Sequence, residues 1–338
     1  MLEANDIEIF LKGETDIPQF DDYYASQARI YQNQLTKPPG SLGKLEEFAI
    51  WMAGWQRKIN PTMNEANCLI FAGNHEVASK GVSAYPTEVT AQMVENFNSG
   101  GAAINQLCDL ADIKLTVIPI NLSQPTHDFS KQAAMGKEET ISAMQLGFNA
   151  VPFDCDLLVL GEMGISNTTA ATAISCALFN GPVEDWTGLG TGLNEKGLST
   201  KISVIKSALK LHGSNFLKTE NILSCLGGRE MAAIAGAVIA ARLLAVPVLL
   251  DGFICTSAAA TLTLFDQKML DHCLISHLST EPGHLGIISY LDKEPILDLN
   301  MRLGEGSGAA LASLIIKSAL AIHNGMSTFS EAGVSEKK

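Results

Sequence analysis

The sequence predicts an α/β protein built on a mainly parallel sheet flanked by helices, and three observations carry that prediction. From residue 66 onward, short apolar runs alternate with longer segments of helical period, the pattern of βαβ units. The first 60 residues read as helical instead, so a helical part precedes the sheet. The 338 residues are 46% hydrophobic but only 6% aromatic, which suits a large aliphatic core in two domains, or in one with an appendage.

In chain order, Ile17 to Gln34 is polar with apolar punctuation, and Leu45 to Trp55 places apolar residues at helical spacing. Between them, Lys37-Pro38-Pro39-Gly40-Ser41-Leu42-Gly43 forbids regular structure and forms a stiff loop. Strands are expected at Cys68–Ala72, Leu115–Ile120, Leu157–Leu160, Trp186–Gly188 and Val246–Leu250, with Leu274–Ser276 as a sixth. Helices are expected over Ser83–Leu110, Lys131–Gly147, Thr168–Leu178, Ser199–Leu211, Arg229–Leu244, Ser257–Leu264 and Ala309–His323. The most hydrophobic stretch, Met231 to Leu250, is broken by Arg242 and Pro247 and reads as a buried helix followed by a strand, not as a membrane span. The segment from Met326 to Lys338 is rich in Ser, Glu and Lys and is expected to fray or to pack against a partner.

Charge narrows the choice of partners. With 23 Lys+Arg against 36 Asp+Glu the net charge is −13, which repels a phosphate backbone, and no basic patch offsets it. Nucleic acid is therefore not expected. The run Glu336-Lys337-Lys338 reads as a solvated end. The seven cysteines are odd in number, have no Cys-x-x-Cys spacing and sit mostly in apolar runs, so they read as reduced core thiols. Met1-Leu2-Glu3-Ala4-Asn5-Asp6 has neither the basic start nor the apolar stretch of a signal peptide, and a cytoplasmic setting is expected.

The loops after the strands carry the chemistry. After Leu157–Leu160 comes Gly161-Glu162-Met163-Gly164-Ile165-Ser166-Asn167-Thr168, running into an Ala-rich helix, and after Trp186-Thr187 comes Gly188-Leu189-Gly190-Thr191-Gly192. Ligands of parallel sheets bind outside the carboxyl ends of the strands, where helix N-termini present free N–H groups to anions. Neither loop matches a dinucleotide fingerprint or a P-loop, so glycine spacing alone leaves a structural turn and a phosphate cradle both open. Glu305, between glycines in Arg302-Leu303-Gly304-Glu305-Gly306-Ser307-Gly308, is the first candidate for a general base and Glu162 the second; each also fits a helix cap. Lys201 stands where an ammonium reaches the Gly188–Gly192 loop, or else it is a solvated helix residue. The spacing of His272, His277 and His284 is no zinc pattern, and they read as core or loop histidines.

Six ordered motifs, from Lys37-Pro38-Pro39-Gly40-Ser41-Leu42-Gly43-Lys44-Leu45-Glu46 through Gly81-Val82-Ser83-Ala84-Tyr85-Pro86, Gly161-Glu162-Met163-Gly164, Gly227-Gly228-Arg229-Glu230 and Asp251-Gly252-Phe253 to Arg302-Leu303-Gly304-Glu305-Gly306-Ser307-Gly308, resemble one family. It is the nicotinate-nucleotide:5,6-dimethylbenzimidazole phosphoribosyltransferases, the CobT family, and the likeness spans about residues 20–325. The resemblance implies a homodimer whose subunit has a large Rossmann-like domain over residues 61–300. A small helical domain would be made from both chain ends, residues 1–60 and 301–338. It further implies that nicotinate mononucleotide and 5,6-dimethylbenzimidazole give α-ribazole 5′-phosphate and nicotinate, without metal or cofactor. Glu305 would be the base, Glu162 a second important carboxylate and Lys201 the phosphate contact.

The implied substrate contacts add Gly164, Asn167, Thr168, Gly188 and Gly190 on the strand-end loops, and Arg302, Leu303 and Gly304 beside the base. Tyr85, Pro86 and Met93 would form the apolar slot for the flat nucleophile. One departure stands out: where the family has Asp-His-Gly after the first strand, this chain has Asn74-His75-Glu76, which removes one charge and adds a side chain near the expected pocket. The competing readings are the same chemistry on another base, such as adenine, an unsubstituted benzimidazole or a phenol, and a non-catalytic nucleotide-binding homologue.

Overall fold

The computed structural model describes residues 6–213 and 215–335; the run Glu336-Lys337-Lys338 and the first five residues lie outside the described residues. Six strands form one fully parallel sheet: β1 (Ala66–Ala72), β2 (Lys114–Pro119), β3 (Leu157–Met163), β4 (Val248–Leu250), β5 (Cys273–His277) and β6 (Pro295–Leu297). Their spatial order is β2-β1-β3-β4-β5-β6. The chain leaves β1 in one direction to make β2 and returns past it to make β3. The order therefore reverses between β1 and β3, and because the sheet is fully parallel every strand ends at the same edge.

Strand alternation divides the core into two layers. Leu69 and Phe71 of β1 and Leu158 and Leu160 of β3 point to one face, under helices Lys137–Ala150, Asn167–Phe179, Arg229–Leu243 and Phe253–Ala260. Cys68, Ile70 and Ala72 of β1 and Leu157 and Val159 of β3 point to the other, under helices Lys44–Gln56, Glu88–Asn98, Ala103–Ala111 and Ser307–Gly325. All seven cysteines are buried and free of disulfides. Among the described residues no helix is long and apolar enough to cross a membrane.

On the first face, helices Lys137–Ala150 and Arg229–Leu243 touch backbone to backbone. A Cβ on Gly147 would lie 1.8 Å from the carbonyl oxygen of Ala233, and one on Gly236 would lie 1.8 Å from that of Met144. The two glycines answer each other across the crossing, and neither position has room for a methyl group.

Several elements differ from the sequence-based expectation. The stretch expected as a strand at Trp186–Gly188 is instead a helical turn, Val183–Trp186, opened by Pro182 and carrying Glu184 and Asp185 in its first turn. Its Trp186 ring stacks on Phe179 and Tyr290, with centroids 5.8 and 6.3 Å away. The long helix expected over Ser83–Leu110 breaks into Glu88–Asn98 and Ala103–Ala111 at Ser99-Gly100-Gly101. β6 was not expected; it is an edge strand of three residues that opens on a proline. β3 runs on through Gly161 and Glu162, so Glu162 lies in the sheet, in register with Phe71, and not in a loop. The segment after Met326 pairs with its own chain: Thr36 N–H donates to Ser327 O at 3.1 Å and Phe329 N–H to Gln34 O at 2.9 Å.

The helix crossing gives a direct test. Gly147→Ala should lower unfolding free energy toward the upper end of about 1–3 kcal/mol. Gly136→Ala, at the start of the same helix with open space around it, should cost under about 1 kcal/mol. Urea titration of both variants checks this, and equal midpoints would count against the close crossing.

Candidate active site

A cavity of about 780 Å³ occupies the crevice at the carboxyl ends of β3, β4 and β5. Tyr85, Met93, Glu162, Gly164, Asn167 and Thr168 line it, as do Gly190, Arg302, Leu303, Gly304 and Glu305. Residues expected from distant segments thus meet on one wall system. Tyr85 and Leu303, 52% and 54% exposed, stand at its apolar rim with Val89 and Met93 beside them. Pro86 is solvent-exposed and outside the lining.

Glu305 is buried and held in a strained backbone. Gly304, Glu305 and Gly306 all have left-handed φ angles of 80°, 63° and 76°. For a glutamate that conformation costs about 1–2 kcal/mol, and the flanking glycines keep the penalty to one residue. Gly304 is also required by space, because a Cβ there would lie 2.6 Å from Glu162 Oε1. The backbone then enters helix Ser307–Gly325, which packs against helices Lys44–Gln56 and Ala103–Ala111 and against β3, β4 and β5.

The carboxylates raise one another's affinity for protons. Burial, then the charge of Asp251, pushes the Glu162 carboxyl up to about 8, although Asn167 Nδ2 donates a hydrogen bond to its Oε2 and pulls the other way. Burial and Asp251 push Glu305 up to about 7. These are the opposite of solvated surface acids, and they suit groups that exchange protons near neutrality.

The Gly188–Gly192 loop is clamped from three sides. Lys201 Nζ donates to Gly188 O at 3.1 Å and to Thr168 Oγ1 at 3.0 Å, Gly190 N–H donates to Glu281 Oε1 at 2.9 Å, and Arg302 Nη1 donates to Gly190 O at 3.1 Å. Lys201 is fully buried rather than solvated, and burial lowers its pKa to about 8 against the pull of Glu281. It lies beneath the loop together with Gly188, and neither lines the cavity. The ammonium retains one N–H beyond the two it uses.

Three ionisable lining residues are not among the sequence candidates: Asp251, His277 and Glu281. Asp251 follows β4 directly, His277 ends β5 and Glu281 follows β5 closely, so the strand-end rule that marked Glu162 pointed to them too. His272 and His284 are buried, and burial lowers both to about 3, which keeps them neutral. The Asn74-His75-Glu76 departure does not reach the cavity. Asn74 Nδ2 donates to Leu122 O at 3.0 Å, His75 pairs with Glu230 at 2.7 Å, and the exposed Glu76 accepts from Asp128 N–H at 3.0 Å. Among the described residues no group of three or more His, Cys, Asp or Glu side chains is arranged to hold a metal ion.

A family model described as phosphoribosyltransferase matches residues 17–334. The chain belongs to that family. Among curated phosphoribosyltransferases it is 53% identical over 303 residues to the nicotinate-nucleotide–dimethylbenzimidazole phosphoribosyltransferase of Ruegeria sp. (strain TM1040), covering 90% of each chain. It is 50% identical over 322 residues to the enzyme of that name from Mesorhizobium japonicum, covering 95% of this chain and 96% of that one. The solved structure of CobT from Thermus thermophilus superposes with a TM-score of 0.86 at 37% identity, over 93% of this chain and 100% of that one.

The proton affinities predict a pH-dependent stability difference. A carboxyl held at about 8 in the folded state, against 4.5 as the ordinary value, weakens folding progressively as pH rises through that interval. Glu162→Gln lacks this loss, so its unfolding midpoint should gain on the wild type between about pH 5 and pH 8. A constant difference, read by thermal unfolding at several pH values, would refute the assignment.

Proposed function

We propose that this chain transfers the phosphoribosyl group of nicotinate mononucleotide to 5,6-dimethylbenzimidazole, giving nicotinate and α-ribazole 5′-phosphate for assembly of the lower-ligand nucleotide of cobalamin. The observation that carries the proposal is Glu305: a buried carboxyl poised near neutrality, fixed on the wall of a cavity whose rim is apolar. Family membership supplies the reaction class, and the geometry supports the roles.

The nicotinate nitrogen of the substrate is a pyridinium, so the leaving group departs neutral and requires no general acid. Benzimidazole attacks the ribose carbon through its unprotonated nitrogen and must lose the proton on the other. A carboxylate beside that N–H makes the ring more nucleophilic as the bond forms, and a base acts best when its pKa is near the working pH. This is the role of Glu305. Attack opposite the departing nicotinate converts the β-linkage to α, and holding both rings in line across the sugar supplies much of the acceleration.

Glu162, with its carboxyl pushed up to about 8 by burial, would face the cationic pyridinium nitrogen of the substrate, which favours its ionised form. As an anion it steadies the oxocarbenium character that develops at the ribose. The Gly188–Gly192 loop, Arg302 and the start of helix Asn167–Phe179 fit the 5′-phosphate, with Lys201 adding charge from below. Val89 and Met93 with Tyr85 and Leu303 provide the apolar slot. The proposal takes the protein as a cytoplasmic homodimer that uses neither metal nor organic cofactor.

Incubation with both substrates should release nicotinate and α-ribazole 5′-phosphate in equal amounts by chromatography. Nucleotide binding without nicotinate release would favour the non-catalytic homologue, and competition with adenine, benzimidazole or phenol measures base preference. The kcat/KM profile should rise through an acid limb near pH 7. Glu305→Gln should lower kcat by about 10²–10⁴-fold with nucleotide binding retained. Lys201→Ala should raise the nucleotide KM more than it lowers kcat, and the reverse pattern would remove Lys201 from the phosphate site.

A further inference from the structure

Asp251 lies where the sheet meets the loop that carries Glu305. It follows β4 directly, is fully buried and lines the cavity. Its Oδ2 accepts the N–H of Gly306 at 3.0 Å and its Oδ1 the N–H of Ala309 at 3.0 Å. Gly306 is the residue after Glu305 and, like it, left-handed. His277 Nε2, from β5, lies 3.6 Å from Oδ1. Both carboxylate oxygens thus face N–H donors at the start of a helix of 19 residues, where the helix dipole favours an anion.

We propose that Asp251 is the positioning residue for Glu305, fixing through Gly306 and Ala309 the backbone that presents the base and setting the field in which that carboxyl takes a proton. The proposal rests on Glu305 acting as the base of the pentosyl transfer. The groups around the pair are Glu162 from β3, His277 from β5 and Glu230 from the start of helix Arg229–Leu243. Arg302 lies on the same loop as Glu305, and the thiols are Cys68 of β1 and Cys255 of helix Phe253–Ala260. Burial pushes Asp251 itself up, and His277 with the backbone N–H groups of Ala309, Gly306 and Gly308 pulls against that rise. Its repulsion, after burial, is what holds the Glu305 proton.

A variant that keeps the shape and discards the charge separates this role from simple capping. In Asp251→Asn, kcat should fall about 10- to 100-fold with the nucleotide KM within about threefold of wild type. Its acid limb should move down by about one pH unit. An acid limb at the wild-type pH in the folded variant would overturn the proposal. If the Asn variant does not fold, Asp251→Glu keeps the charge while moving the carboxylate relative to the Gly306 and Ala309 N–H groups. It should lose about tenfold in kcat with the acid limb unmoved. Wild-type kcat in that variant would overturn the positioning role.

A readout independent of turnover distinguishes failure of this proposal from failure of the reaction itself. Unfolding midpoints are compared from about pH 5 to pH 8 for the wild type, Glu305→Gln, Asp251→Asn and the double variant. The advantage that Glu305→Gln gains as pH rises should shrink, though by less than half because burial is the larger cause, when Asp251 is already Asn. If wild-type protein released no nicotinate, the assigned reaction would fall while this cycle still judged the coupling, and an unchanged advantage would overturn it.

Discussion

Buried negative charge is the constraint around which this protein is arranged. Glu162, Asp251 and Glu305 lie out of water at the carboxyl edge of one sheet, and the charge of Asp251 makes both glutamates harder to ionise. Isolated, such groups would simply stay protonated or unfold their surroundings. Here the helix starting at Ser307 offers its free N–H groups to Asp251, His277 approaches the same carboxylate, and Asn167 donates to Glu162. The stabilisation that makes this tolerable comes from elsewhere, from two aliphatic layers packed on β1 and β3.

The site therefore shows a division of labour between strands and helix starts. Strands bring acidic side chains to one edge, and helix N-termini supply the partial positive charge that makes those side chains usable. Two of the helices at the cavity are entered through a left-handed residue, Ser166 before Asn167–Phe179 and Gly306 before Ser307–Gly325. The repeated turn puts N–H groups and carboxylates face to face across the same space. An empty site of this kind is poised for a positively charged ring and against a second anion, except at the Gly188–Gly192 loop, where Lys201 and Arg302 reverse the sign.

Much of this was legible in the sequence, for reasons that differ between residues. Cys68–Ala72 of β1 and Leu157–Leu160 of β3 are continuous apolar runs, and such runs declare buried strands directly. Glu305 and Glu162 are visible because a carboxylate among glycines leaves the backbone open to close approach by a ligand, although each also fits a helix cap. β3 was cut short since Gly161 and Glu162 look like loop residues when their partners in β1 are not in view. Trp186–Gly188 was misassigned because a short apolar run cannot distinguish a strand from a helical turn. Lys201 looked solvated by residue type alone, yet it stands at helical spacing from Val204, Ile205 and Ala208, which share the buried face. Asp251 and His277 act through partners more than 25 residues away, and only tertiary structure joins them to Glu305.

The two borders of the sheet bear on how copies of this chain can associate. An open parallel sheet leaves unpaired backbone groups along both margins, and a long, flat margin invites another molecule to add a strand. On one side β6 is only three residues long and opens with Pro295, just after the charged pair Lys293 and Glu294. On the other, β2 starts at Lys114, ends at Pro119 and turns alternate residues to solvent. Neither margin makes a good template. Self-association by strand exchange, with its hazard of open-ended fibres, is discouraged at both ends, and a closed pair of subunits has to be built from helical and loop surfaces.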